Sequence, residues 1–163
     1  MLVNLEVLEQ NGYVFAMILT SVQAVLFFGL LLLVSIYDGI ERSIPDRLQI
    51  LIASLTLLQF SFGNLLGIIV ALPYLLIALL GKQTGGIGGG DVKLAGSTGI
   101  VLGLPAGLTA SIIGLTGFVL YGFCVQQYRK YKGETVNIPF PVGPFLAVGS
   151  VIAYFMKIGG LIL

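Results

Sequence analysis

The placement of charge constrains this chain more than any other feature. Its fifteen Asp, Glu, Lys and Arg residues fall in short clusters. The uncharged stretches between them, 10–37, 48–81, 94–128 and 135–156, run 28, 34, 35 and 22 residues. One helical crossing of a bilayer needs about 20 apolar residues, so the first and last stretches hold one span each. A single helix over either middle stretch would exceed about 50 Å, against a hydrocarbon core of about 30 Å. Both therefore read as helical hairpins, broken near their centres at Ser61-Phe62-Gly63-Asn64 and Gly103-Leu104-Pro105-Ala106-Gly107. The reading is an all-α integral membrane protein, a polytopic bundle of about six transmembrane helices at 13–37, 47–61, 64–80, 92–103, 106–128 and 142–162. It forms one domain over residues 1–163. Only 9% of residues are charged and 57% are apolar, whereas soluble domains carry about 25% charged residues.

Lys and Arg placement orients the bundle. Segment 38–47 holds Arg42 and Arg47, segment 81–93 holds Lys82 and Lys93, and segment 129–140 holds Arg129, Lys130 and Lys132. Six spans put all three segments on one face, and Lys157 alone lies elsewhere. The expectation is a multi-pass protein of the cell membrane, with both termini outside and the basic face in the cytoplasm. The first span is too long for a signal-peptide core, and Glu6 and Glu9 precede it in place of basic residues.

Composition also narrows the chemistry. There is no histidine, which removes Ser-His and Cys-His catalysis and imidazole ligands. One cysteine, Cys124, forms neither a disulfide framework nor a thiolate zinc site. No metal and no cofactor is expected. With a net charge of +1 and no long run of like charge, no nucleic-acid partner is expected either. Acid–base work falls to carboxylates, lysines or tyrosines.

Seven carboxylates are present: Glu6, Glu9, Asp38, Glu41, Asp46, Asp91 and Glu134. Asp38 ends the apolar run 30–37, and Asp91 follows Gly85-Gly86-Ile87-Gly88-Gly89-Gly90. Each has an ordinary structural explanation. Asp38 can pair with Arg42 at i+4, Asp91 can be a helix N-cap, and the glycines can pack helices or form a linker. The run fits neither G-x-G-x-x-G nor a P-loop. Together, two aspartates at one membrane face offer a shared-proton pair, because two adjacent carboxylates do not both ionise easily. The ionised member would activate water, and the protonated member would polarise a peptide carbonyl. Glycines before Asp91 would let a substrate strand approach closely.

Three stretches resemble the type IV prepilin peptidases, a family of GxGD-type intramembrane aspartyl peptidases. They are Asp38-Gly39-Ile40-Glu41-Arg42-Ser43-Ile44-Pro45-Asp46, Gly88-Gly89-Gly90-Asp91-Val92-Lys93-Leu94, and Ile138-Pro139-Phe140-Pro141-Val142-Gly143-Pro144-Phe145-Leu146-Ala147. The last is similar to an Ile-Pro-Phe-Gly-Pro-Phe-Leu segment of that family, with Pro141 and Val142 inserted. The resemblance implies that Asp38 and Asp91 are the catalytic pair. It also implies prepilin-like or preflagellin-like membrane substrates, with a short basic leader, a Gly before the cut and an apolar helix after it. Larger bacterial members carry Cys-x-x-Cys pairs and methylate the new N-terminus. With Cys124 alone, the expectation is cleavage without methylation, as in the short peptidase-only members. Oligomeric state has no sequence signal.

The remaining features read as structural. Asp46 and Glu41 are read as solvated and paired with Arg42 and Arg47, ahead of a role in attracting a basic leader. Pro73 is read as a kink, Pro105 as a first-turn proline, and Gly63/Gly67 and Gly99/Gly103 as helix-packing pairs. Thr20, Ser21 and Gln23 are read as interhelical hydrogen-bonders, and Cys124 as a small buried apolar residue. The competing functions are a small proton or cation transporter using Asp38 and Asp91 as a relay, and a non-catalytic scaffold. A relay leaves Ile44-Pro45 and the shared membrane edge of the two aspartates unexplained.

Overall fold

A computed structural model describes residues 2–80, 88–132 and 141–162. Segments 81–87 and 133–140, with Lys82, Glu134, Gly85–Ile87 and Ile138–Phe140, lie outside the described residues, as do the side chains of Glu6 and Glu9. All regular structure among the described residues is helical. α1 spans Leu2–Glu41. α2 (Asp46–Ser54) continues as a 3-10 turn over Leu55–Gln59. The next rod comprises α3 (Phe62–Leu65), a 3-10 stretch Leu66–Val70 and α4 (Ala71–Leu80). α5 (Gly89–Leu102), α6 (Leu104–Lys132) and α7 (Gly143–Ile158) follow. These make six rods, with chain reversals at both expected breakers.

Local chemistry explains the interruptions. Pro73 has no N–H for the Ile69 carbonyl, and the turn before it tightens to 3-10 rather than bending an intact helix. Gly103 adopts φ +82, which turns α5 into α6 without a linker. Pro105 sits in the first turn of α6, where a missing N–H costs nothing.

Small residues hold the rods together. A Cβ built on Gly67 or on Gly99 would collide with the other's carbonyl, so the α3–α4 rod meets α5 backbone to backbone. Gly107 lies against Val70 and Gly99, while Gly114 and Gly149 bring α6 onto α7. Of the expected packing pairs, Gly67 and Gly99 fulfil that role, whereas Gly63 meets only Ser61 and Gly103 is a turn residue. Phe27, Phe28 and Tyr154 join α1 to α7 through tilted and edge-on rings. Large apolar side chains instead face outward, among them Leu32, Phe62, Leu72 and Ile112. Small residues inside and bulky apolar ones outside is the pattern of helices packed within lipid.

Among the described residues three helices, Gln10–Glu41, Phe62–Leu79 and Leu104–Lys132, are long and apolar enough to cross a membrane, and Gly143–Ile158 is a shorter apolar helix. Polar side chains pin the end of the bundle farthest from the charge clusters. Gln23 donates to the Leu55 carbonyl at 2.9 Å. Gln59 donates to the Thr20 hydroxyl. Lys157 donates to the Leu102 carbonyl at 2.8 Å, where a cation also complements the C-terminus of α5. Ser21 departs from expectation and bonds within its own helix, to the Met17 carbonyl. Cys124 is exposed rather than buried. Its stretch of α6, beyond the last buried residue Gly114, extends past the neighbouring rods and leaves most side chains open.

Candidate active site

Three helix ends converge where the charges cluster. Asp38 lies in the last turn of α1, which closes with the Arg42 N–H bonded to the Asp38 carbonyl at 3.1 Å. Arg42 takes a left-handed φ of 53, a conformation usually given to glycine, and there the chain leaves α1 for α2. Gly88 is the N-cap of α5 and donates its N–H to Asp91 Oδ2 at 3.1 Å. Asp91 is thus the third residue of its helix and not the N-cap itself. It satisfies an otherwise unpaired amide and places negative charge at the positive end of the helix dipole.

Both carboxylates are buried, Asp38 at 6% and Asp91 at 8% exposure. The pair shares a cleft of about 230 Å³, lined also by the turn after α1, by Gly88–Gly90 and by Lys93. Asp38 accepts the Gly143 N–H at 2.8 Å from the start of α7. A Cβ at position 143 would stand 2.7 Å from Asp38 Oδ2, so only glycine lets the helix end come so close. Asp38 does not use Arg42 as its partner. The one ion pair among the described residues is Lys93 to Asp46, at 2.7 Å.

A backbone stitch holds the two aspartate segments in register. The buried Gln49 side-chain amide donates to the Gly90 carbonyl at 3.2 Å and to the Ile44 carbonyl at 3.4 Å. Gly90 packs on Ile44, leaving room for no more than a methyl group. Asp46, read from the sequence as solvated with Arg42 and Arg47, instead bridges the cleft mouth to Lys93. Burial pushes the Asp91 carboxyl up to about 6. The negative charge of Asp38 adds to this rise, and the Gly88 N–H opposes it. Two carboxylates in one cleft, one of them keeping its proton well above the usual carboxylate range, can together take a proton from water and give one to a polarised carbonyl. Among the described residues no three Cys, Asp or Glu side chains converge into a cation cage.

A model of the type IV leader peptidase family matches residues 25–125. The chain belongs to the type IV leader peptidase family. It is also 34% identical, over 152 residues, to the prepilin leader peptidase/N-methyltransferase of Bacillus subtilis (strain 168), covering 88% of this chain and 59% of that protein. The chain thus spans little more than half the length of that curated relative. No solved structure matches.

The leader-peptidase match contains both Asp38 and Asp91, the residues the sequence singles out. The sequence reading missed Gly143, Gln49 and Lys93 as partners. Gly143 was visible only as part of the third family-like stretch, where its glycine identity was the available signal. Gln49 was the first uncharged polar residue after Ile44-Pro45, but a cross-segment hydrogen bond has no one-dimensional pattern.

Proposed function

We propose that this chain is an intramembrane aspartyl endopeptidase that removes the leader from prepilin-like or preflagellin-like proteins, with Asp38 and Asp91 as its catalytic pair. The observation that carries the reading is the burial of both aspartates in one cleft, on segments 53 residues apart in sequence. Family membership and the name of the Bacillus subtilis relative support the substrate class.

When the pair carries one proton it resides on Asp91, because burial and the neighbouring charge favour its neutral form. Asp38, bonded to the Gly143 amide, takes a proton from water as the water oxygen attacks the scissile carbonyl. Asp91 gives its proton to the carbonyl oxygen. Collapse of the tetrahedral intermediate breaks the C–N bond: the proton on Asp38 passes to the leaving amine, and a hydroxyl of the intermediate returns its proton to Asp91 as the carboxyl group forms. The products are a carboxyl-ended leader and a new free amine. A helical substrate must first be extended, since its scissile amide is otherwise hydrogen-bonded within the helix. The side-chain-free Gly88–Gly90 edge is where an extended segment would pair.

The topology belongs to the same proposal: six crossings, both termini outside, and the cleft at the cytoplasmic boundary. The clustering of Arg42, Arg47, Lys93, Arg129, Lys130 and Lys132 supports this orientation. Residues 1–163 act as one peptidase domain. With Cys124 as their only cysteine, they cleave without methylating the product. The test is co-expression with a membrane protein carrying a basic leader, a glycine and an apolar helix. The parent chain should shorten it, and Asp38→Asn and Asp91→Asn should not, although both still insert. A relay transporter would leave cleavage unaffected and lose ion flux.

A further inference from the structure

Behind Asp91, on the side away from the cleft, the packing register brings two hydroxyls into one buried layer. Val70, Gly99 and Gly107 touch where α5, α6 and the α3–α4 rod meet. One helical turn toward the charged end, these three positions become Tyr74, Ala95 and Ser111. Ala71 against Gly96 gives the same register independently. One further turn along α5 is Asp91.

Tyr74 is wholly buried, and Ser111 is buried beside it. The phenol faces Ser111 and lies within electrostatic reach of Asp91, yet neither hydroxyl completes a hydrogen bond within the fold. Buried polar groups are nearly always paired, because an unpaired one loses its hydration for no return. A phenylalanine would fill the same space without that cost. Thr56 and Ser150 also carry unpaired buried hydroxyls, but of the four only the Tyr74 phenol is within electrostatic reach of a cleft carboxyl.

We propose that Tyr74 is a positioning residue for Asp91, donating its O–H to the inner oxygen of that carboxyl while its own oxygen accepts from Ser111. This orients the carboxyl with its outer oxygen toward Asp38 and the substrate, and it opposes the effect of burial on Asp91. The other groups facing this carboxyl are few. Asp38, Arg42, Asp46 and Lys93 lie around the cleft. The Gly88 amide comes from the helix start. Neither α4 nor the part of α6 in this layer carries a charge. The inference rests on the aspartate-pair reading and adds to it a third side chain.

The test compares the full-length parent, Tyr74→Phe and Ser111→Ala in membranes, measuring kcat and KM for leader cleavage across pH. Loss of a hydrogen bond to a charged group is worth about one pH unit. The Tyr74→Phe profile of kcat/KM should move to higher pH by about that amount, kcat should fall about tenfold, and KM should stay within about twofold. Ser111→Ala should move the profile the same way by a smaller amount. It carries the test alone if Tyr74→Phe does not fold. A merely structural phenol would alter thermal stability and leave the profiles superimposed on the parent, which overturns the proposal. Asp91→Asn, run in parallel, separates the two levels. Cleavage surviving there defeats the aspartate reading and this inference with it. Cleavage lost there, with unmoved Tyr74→Phe and Ser111→Ala profiles, defeats only the role of Tyr74.

Discussion

Gly143 touches Asp38 across 105 positions of sequence, its amide donating to the carboxylate at 2.8 Å. The contact ties the first residue of α7 to the last turn of α1, and so fixes where the carboxylate sits when Asp91 arrives from α5. No side chain fits between them. A Cβ on residue 143 would lie 2.7 Å from Oδ2 and 3.1 Å from Asp38 Cγ.

Gly143→Ala is therefore expected to displace Asp38 while leaving most of the bundle intact. Misplacement of a catalytic group by about 1 Å costs roughly 100-fold in rate. Leader cleavage should fall by that order, with a much smaller loss of thermal stability. Steady-state kinetics and a melting curve on the same preparation check both halves.

Asp91 ties stability to pH. Its carboxyl stands at about 6 in the fold and near 3.9 in an unfolded chain. The folded state therefore holds the proton more tightly. The contribution is fully present below about pH 4 and is lost as pH rises through 6. The difference is worth about 3 kcal/mol between those limits. Thermal midpoints in detergent should fall correspondingly across that window. Asp91→Asn should flatten this component and melt higher than the parent at pH 7, while the proposed function expects it to lose cleavage.

The reversals were legible because they are local. Glycine and proline between apolar runs marked the break after Gln59 and the turn at Gly103. The convergence of Asp38 and Asp91 was legible because rods that reverse at each connection bring every second connection to one end of the bundle. What escaped is long-range and involves either backbone or commonplace side chains. The Gly143 amide carries no residue-type signature beyond glycine itself. The Asp46–Lys93 pair joins residues 47 positions apart, so nearer arginines looked like better partners. Cys124 was misread because burial was inferred from residue type, whereas the end of α6 projects beyond its neighbours. Tyr74 resembled any other tyrosine in an apolar stretch until the glycine register set it level with Ala95, one helical turn from Asp91.

Glycine contacts predict a sharp contrast among small substitutions. At Gly67 or Gly99 an added methyl meets backbone rather than a flexible side chain, so the α3–α4 rod and α5 must separate. Gly67→Ala and Gly99→Ala are each expected to cost about 2 kcal/mol or more. Gly63→Ala, with only Ser61 nearby, should stay within about 0.5 kcal/mol. Thermal melts of the three variants in one detergent decide the ordering.

The cleft-mouth ion pair should matter little to the fold. Lys93 and Asp46 are 58% and 67% exposed, and exposed pairs contribute about 0–1 kcal/mol, less in salt. Asp46→Ala and Lys93→Ala are expected to melt within that range of the parent, and the difference should shrink at 1 M salt. A larger loss would mean that the pair is structural.

The most direct measurement is single-turnover cleavage of a purified leader-bearing substrate by the parent, Asp38→Asn and Asp91→Asn, with mass spectrometry of the products. The account predicts a single cut by the parent, with a free and unmethylated amine on the mature protein, and no detectable product from either variant despite correct folding. Cleavage by either Asn variant at a rate near the parent's would contradict it.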